Sequence, residues 1–240
     1  MIQERVFTDH EAASRHVADH VTRRLLERPT LLICLASGNT PRRAYELLAE
    51  RGRREPSLFA KCRIIKLDEW GGLPKDDPAT CEHHLRTALI EPLNLNDRYI
   101  AFDSQPSNPE AECRRIATWL AENGPIDTCV LGLGMNGHLG FNEPAEFLQP
   151  HAHVAILSET SLAHSMLANS HARPTYGLTL GLADILYSEH IMLIATGAAK
   201  HAAVARTLCG QITPHFPASF LQLHPDVELV CDATAGSTGP

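Results

Sequence analysis

The chain has 240 residues, 44% of them hydrophobic, 20% charged and 5% aromatic, and its 21 Lys+Arg against 28 Asp+Glu leave a net charge of -7. At this length roughly 70% of the extended chain's surface is buried on folding, enough for a core without staples, so a disordered tail or a mini-protein is excluded. The acidic balance argues against a nonspecific grip on nucleic acid, though a few backbone amides and one Lys can still hold a phosphate.

The longest apolar runs, Leu31 to Ala36 and Ile191 to Ala195, fall far short of the roughly 20 residues of a spanning helix, so no membrane association is expected. The first ten residues, MIQERVFTDH, carry early acids and no apolar stretch, so no signal peptide is read. Seven cysteines (34, 62, 81, 113, 129, 209, 231) are scattered without a CxxC pair. They read as reduced, mostly buried thiols of a cytoplasmic protein.

His10 to Leu26 has helical spacing at Val17, Val21 and Leu25 and stops at Arg28-Pro29. Leu31 to Ala36 reads as a buried parallel strand, and Thr40 as the N-cap of a helix with Pro41 in its first turn and Ala44, Leu47 and Leu48 along it. Cys62 to Leu67 is a second strand and Cys81 to Ile90 a helix stopped before Pro92. Glu110 to Asn123 is a further helix, closed by Asn123-Gly124-Pro125. Thr128 to Leu133, His190 to Thr196 and Val227 to Cys231 are strands, and Ala198 to Cys209 a helix. Repeated strand–helix alternation predicts an α/β fold: a Rossmann-like open, mostly parallel sheet with helices on both faces. Residues 1–232 are expected as a single catalytic domain and 233–240 as a flexible tail.

Crevices in such sheets open at the carboxyl ends of strands, where four segments stand out. Ala36-Ser37-Gly38-Asn39-Thr40-Pro41 is a small Gly-containing turn into a helix, able to aim backbone N–H groups at a phosphate; the alternative is an ordinary capped turn. It matches neither the Walker loop nor the dinucleotide fingerprint. In Lys66-Leu67-Asp68-Glu69-Trp70-Gly71-Gly72, adjacent acids point to opposite sides of extended chain. One can face the crevice as a base for a carbon-bound proton, unless both are plain surface acids. Leu131-Gly132-Leu133-Gly134-Met135-Asn136-Gly137-His138-Leu139-Gly140-Phe141-Asn142-Glu143-Pro144 is the densest: glycines for close approach, His138 to shuttle a proton and Glu143 to orient or charge it. Thr196-Gly197-Ala198-Ala199-Lys200 puts a cation in the first turn of a helix, where an anion would justify it. The closest His clusters, Cys81-Glu82-His83-His84 and His151-Ala152-His153, lack zinc-site spacing, so no metal site is expected.

In this order the four segments resemble the glucosamine-6-phosphate deaminase and galactosamine-6-phosphate isomerase family, over about Leu31 to Asp232. The Gly137-to-Pro144 stretch is its most specific part; Leu178-Thr179-Leu180-Gly181 and Phe216 to His224 also resemble the family. Phe216 to His224 and Leu67 to Trp70 look closest to the galactosamine-6-phosphate branch. The resemblance implies isomerising deamination of a 2-amino-2-deoxyhexose 6-phosphate to a ketohexose 6-phosphate and ammonia, without a cofactor. It implies Asp68 as the enolisation base and His138 as the ring-opening proton carrier, assisted by Asn136 and Glu143. Ser37, Gly38, Asn39, Thr40 and Lys200 would grip the phosphate.

Galactosamine 6-phosphate is the expected substrate and glucosamine 6-phosphate the alternative. A 6-phosphogluconolactonase or a non-enzymatic sugar-phosphate sensor are readings of another class. The partner is a small sugar phosphate, with self-association into a homo-oligomer left open. Asn136 replaces an acid found in several members, so Glu143 would carry the charge. An Arg that some members place after the Glu-Pro loop has no counterpart beyond His164 or Arg173. Glu146, Phe147, His153 and Ala155 do not match the activator site of some bacterial hexamers, so that activation is not expected.

Overall fold

The computed structural model describes residues 2–236. The chain opens with β1 (Gln3–Phe7), an edge strand too polar to be picked out by hydrophobicity. Asp9 then caps α1 (His10–Glu27) by accepting from the Ala12 amide, and Ala13, Val17, Val21 and Leu25 form its buried stripe. There follow β2 (Leu32–Leu35), α2 (Asn39–Arg54), β3 (Arg63–Lys66), β4 (Asp68–Gly71), α3 (Cys81–Leu85), β5 (Tyr99–Ile100), α4 (Pro109–Asn123) and β6 (Thr128–Gly132). After these come β7 (His153–Ala155), α5 (Glu159–Leu162), β8 (Tyr176–Thr179), α6 (Leu182–Leu186), β9 (Ile191–Ala195), α7 (His201–Leu208) and β10 (Val227–Asp232).

Seven strands, in the order β1-β10-β9-β6-β2-β3-β5, form a fully parallel sheet, as the strand–helix alternation predicts. Alternation along β2 shows how it is covered. Leu32 and Cys34 join one core with Cys113, Ile116 and Leu120 of α4 and Val204 of α7. Ile33 and Leu35 join the other, with Val17 and Val21 of α1 and Ala44 and Leu48 of α2. Six of the seven cysteines are buried, and all are free thiols.

The structure departs from expectation in several further places. A second sheet, β4-β8-β7, is antiparallel. It begins one residue after β3, where the chain crosses at Leu67, and its acid- and glycine-rich first strand gives no periodic signal. The helix expected over Cys81–Ile90 is α3 followed by one π turn, Arg86–Ile90. The helix expected from Ala198 starts as a 3-10 turn, Ala198–Lys200, so Lys200 stands just before α7 rather than in its first turn. Residues 233–236, expected to fray, form a turn held by the Asp232 carboxylate on the Thr234 and Ala235 amides; 237–240 lie outside the described residues. Among the described residues no helix is long and apolar enough to cross a membrane.

The centre of the large sheet positions the site. β2 and β6 are neighbours, yet the chain leaves β2 towards β3 and β6 towards β9, on opposite sides. Their loops therefore splay apart at the carboxyl ends and leave a crevice between them. Tyr45, buried on α2, donates from its hydroxyl to the Ala36 carbonyl at 2.7 Å and so fixes the chain as it leaves β2. Tyr45→Phe leaves that acceptor without its partner and is expected to cost about 1–3 kcal/mol, read as a lower urea midpoint. An unchanged midpoint would show that the tether carries no load.

Candidate active site

A cleft of about 720 Å³ opens at this point. Its walls include the turn after β2, Asp68 at the head of β4, the loop after β6, α5 with the residues that follow it, and Lys200. All four segments singled out in the sequence thus meet in one place. Of the expected residues, Ser37, Gly38, Asn39, Thr40, Asp68, His138 and Lys200 line the cleft, while Asn136 and Glu143 stand behind His138.

The head of β4 carries the strongest electrostatic arrangement. Asp68 and Glu69 point to opposite sides, and Glu69 faces the interior, fully buried. One Glu69 oxygen accepts from the Trp70 and Cys81 amides at 2.8 and 2.9 Å. The other accepts from the Glu82 amide at 2.9 Å and from Lys66 Nζ at 2.6 Å. Glu69 thereby caps the amino end of α3 through its first two amides. Lys66, equally buried, spends its other two protons on Glu82 at 2.8 Å and the Phe102 carbonyl at 2.9 Å. Burial alone would lower the Lys66 pKa, but Glu69 and Glu82 outweigh it and hold the ammonium above its ordinary value.

Asp68 faces the cleft with 8% of its surface exposed, and its Oδ1 has no hydrogen-bond partner. Burial, reinforced by the Glu69 charge, pushes its carboxyl up to about 7, with Lys66 and the Cys81 thiol pulling partly back. A carboxylate near 7 with a free oxygen is matched to taking and returning protons at neutral pH.

Across the cleft the loop after β6 presents His138. Gly134 lets the imidazole fold back on the loop, since a Cβ there would stand 2.5 Å from the ring. Asn142 pins the loop to the end of β8 by donating to the Leu139 and Leu180 carbonyls at 2.8 and 2.9 Å. His138 Nδ1 lies 3.4 Å from both Glu143 Oε2 and Ser161 Oγ. Burial would raise the Glu143 carboxyl, but His138, Ser161 and Asn136 outweigh it and hold it down to about 2. A fixed negative charge thus sits behind the ring. Asn136 does not touch the imidazole: it donates to Glu143 at 3.0 Å and accepts from the His138 amide at 3.1 Å, so it orders the relay through backbone and carboxylate. Ser161, which donates to Glu143, carries no motif in the sequence and becomes visible only when α5 folds over the loop.

The third wall suits an anion. α2 begins at Asn39, two residues before the expected start, and its N-cap is Gly38 rather than Thr40. Gly38 sits at φ 111°, in the left-handed range that glycine enters freely, and no side chain caps the helix. Its first amides and the positive dipole end therefore face the cleft. Lys200 is the only Lys or Arg lining the cleft among the described residues; burial lowers its pKa, and its Nζ donates to the Leu133 carbonyl at 2.6 Å. Arg173 does not line the cleft, whereas His164 and Ser165 do, Ser165 accepting from Asn39 at 3.3 Å. The His-rich stretches named above gather no ligand set here: Glu82 is taken by Lys66, Tyr99 and Arg86, and His151 pairs with Asp184.

A family model for glucosamine-6-phosphate isomerases/6-phosphogluconolactonase matches residues 8–230. The chain is 40% identical over 217 residues to the Escherichia coli (strain K12) protein named "Putative deaminase AgaI", covering 90% of this chain and 86% of that one. It is 35% identical over 240 residues to a glucosamine-6-phosphate deaminase of Rhodopirellula baltica, covering 99% and 96%. Among solved structures, a monomeric glucosamine-6-phosphate deaminase of the NagB superfamily superposes with a TM-score of 0.92 at 32% identity, over 98% of both chains.

The cost of burying Asp68 is measurable without any substrate. Native Asp68 gives up its proton near 7 and the unfolded chain does so near 4, so wild-type stability falls between those values and stays low above them. Asp68→Asn, neutral throughout, is expected to melt about 3–8 °C above wild type at pH 8, with the gap shrinking towards pH 5. A melting point at pH 8 equal to or below wild type would contradict this.

Proposed function

The chain belongs to the glucosamine-6-phosphate isomerase/6-phosphogluconolactonase family, and from that membership we propose that it is a soluble, cytoplasmic aminosugar-6-phosphate deaminase/isomerase. Its reaction converts a 2-amino-2-deoxyhexose 6-phosphate to a ketohexose 6-phosphate and ammonia, with galactosamine 6-phosphate as the preferred substrate and tagatose 6-phosphate as the product. The observation that carries this reading is the free, buried Asp68 carboxylate, set near 7 in the same cleft as a His–carboxylate relay and an uncapped helix N-terminus. Hydrolysis of a lactone has no use for a base at C2; moving a carbon-bound proton requires one.

The roles implied by the family resemblance fit this geometry and are proposed as follows. The α2 amides and Lys200 hold the 6-phosphate, which anchors the far end of the sugar. Glu143 holds Nδ1 of His138 and leaves Nε2 without a protein partner among the described residues, free to carry the hydroxyl proton at C1 to the ring oxygen. The ring opens to the aldehyde. Asp68 then takes the C2 proton while the substrate's own ammonium group passes one of its protons to O1, giving a neutral enol amine, and Asp68 returns its proton to C1, leaving a protonated imine at C2. Water adds to that imine and expels ammonia, leaving the ketone. Every proton removed is returned, and no redox partner enters.

The epimer preference rests on the likeness of Leu67–Trp70 and Phe216–His224 to the galactosamine branch. Part of that second segment positions the relay: Ala218 donates to the Gly137 carbonyl at 2.8 Å, and Phe216 packs against Gly137.

Ammonia release is to be measured from galactosamine 6-phosphate and glucosamine 6-phosphate side by side. The former is expected to be faster, with Asp68→Asn slowed at least ~10²-fold on both. Faster turnover of the glucosamine substrate would reverse the epimer assignment; hydrolysis of 6-phosphogluconolactone without ammonia release would overturn the reading. For the wild type, kcat/KM is expected to rise with pH through about 7 as Asp68 ionises, and a flat profile from pH 5 to 8 would exclude Asp68 as the base.

A further inference from the structure

The opposite end of the large sheet holds a second cluster, which the cleft does not use. His190 stands immediately before β9 and Glu228 is the second residue of β10, so both lie at the amino ends of strands whose carboxyl ends face the cleft side. α1 lays His16 and His20 over them, one turn apart on the same face. One ligand atom each from His20, His190 and Glu228 fall within 4.8 Å of one another.

The hydrogen bonding around this cluster is that of a ligand set with its outer shell in place. His190, with 5% of its surface exposed, is fixed through Nδ1 by Asp226 at 2.9 Å, and its Nε2 is buried and without a partner. That carboxylate–imidazole pair is how metal-binding histidines are commonly oriented. Oε1 of Glu228 is engaged by Arg5 at 3.1 Å and His16 at 2.9 Å, whereas Oε2 meets only His20 Nδ1 at 4.0 Å. His20 Nε2 is likewise buried without a hydrogen bond. Two imidazoles, His190 buried and His20 half-buried, each with a buried unpartnered nitrogen beside a half-used carboxylate, leave polar capacity that no group among the described residues satisfies.

We infer that His20, His190 and Glu228 form a site for a divalent cation of the zinc type, tying α1 to the amino ends of β9 and β10. Two imidazoles and one carboxylate suit Zn²⁺ rather than Mg²⁺ or Ca²⁺, with water completing four-coordination. The rings of His20 and His190 lie stacked, 4.4 Å apart and tilted by 11°. Coordination therefore turns the His20 ring about its Cβ–Cγ bond, a motion that breaks no hydrogen bond, while Asp226 keeps His190 in place. Placed at the far end of the strands, the ion stabilises the fold and takes no part in the cleft.

The test is titration of chelator-treated protein with Zn²⁺ alone, followed by calorimetry and by melting temperature. Wild type is expected to bind one equivalent with a Kd of about 10 µM or tighter and to melt higher with the ion. His20→Asn and Glu228→Gln, each checked for native circular dichroism, are expected to lose at least about tenfold in affinity. Independently of any variant, Zn²⁺ is expected to shift the ring resonances of His20 and His190 in the wild type. No stoichiometric binding, binding unchanged in His20→Asn, or shifts confined to other histidines or Cys209 would overturn the site.

Discussion

The ion pair between Lys66 and Glu69 is buried with no surface exposed on either side chain, and the head of β4 is organised around it. An ammonium and a carboxylate in the interior are tolerated only when nearly every proton and lone pair finds a partner, and breaking such a pair costs about 3–5 kcal/mol. Here the requirement is met by the Phe102 carbonyl, Glu82 and the amides of Trp70, Cys81 and Glu82. Because Glu69 must point inward to meet them, Asp68 must point out to the cleft. The chain crosses from the parallel to the antiparallel sheet at Leu67, so this side-chain choice and the change of sheet are set within three residues.

From that constraint the division of labour in the cleft follows. Asp68 inherits the repulsion of Glu69 as well as the cost of burial, and its own partners only partly compensate. It is the poorly satisfied acid. Glu143, less deeply buried and surrounded by donors, is the well-satisfied one and stays ionised. Two carboxylates of one site, one lining the cleft and one behind it, thus take opposite protonation behaviour from their surroundings, one able to exchange a proton near neutrality and the other a permanent charge behind an imidazole. The uncapped start of α2 and Lys200 supply the positive pole that an anionic substrate needs.

Much of this was legible in the sequence because buried parallel strands are continuous apolar runs bounded by turn residues. Leu31–Ala36 and His190–Thr196 are each found as a strand one residue shorter at either end. The site was legible for a related reason: residues at the carboxyl ends of such strands are brought together by the sheet, whatever their separation in the chain. What escaped was set by long-range pairing. The antiparallel sheet begins with Asp68-Glu69-Trp70-Gly71, which has strand geometry only because β8 lies beside it. Ser161 supports Glu143 from a short helix without a motif, and the start of α2 depended on a backbone angle at Gly38 rather than on the Thr-Pro pair that suggested Thr40. His20, His190 and Glu228 come from three separate elements.

The central claim is that Asp68 titrates near neutrality because the buried Lys66–Glu69 pair forces it, poorly solvated, towards the cleft. Its most direct test is the side-chain carboxyl ¹³C titration of aspartate-labelled protein, with the Asp68 resonance assigned by its absence in Asp68→Asn. A midpoint of about 7 is predicted. A midpoint near the ordinary value of about 4 would contradict the account, since Asp68 would then be a solvated acid of no particular basicity.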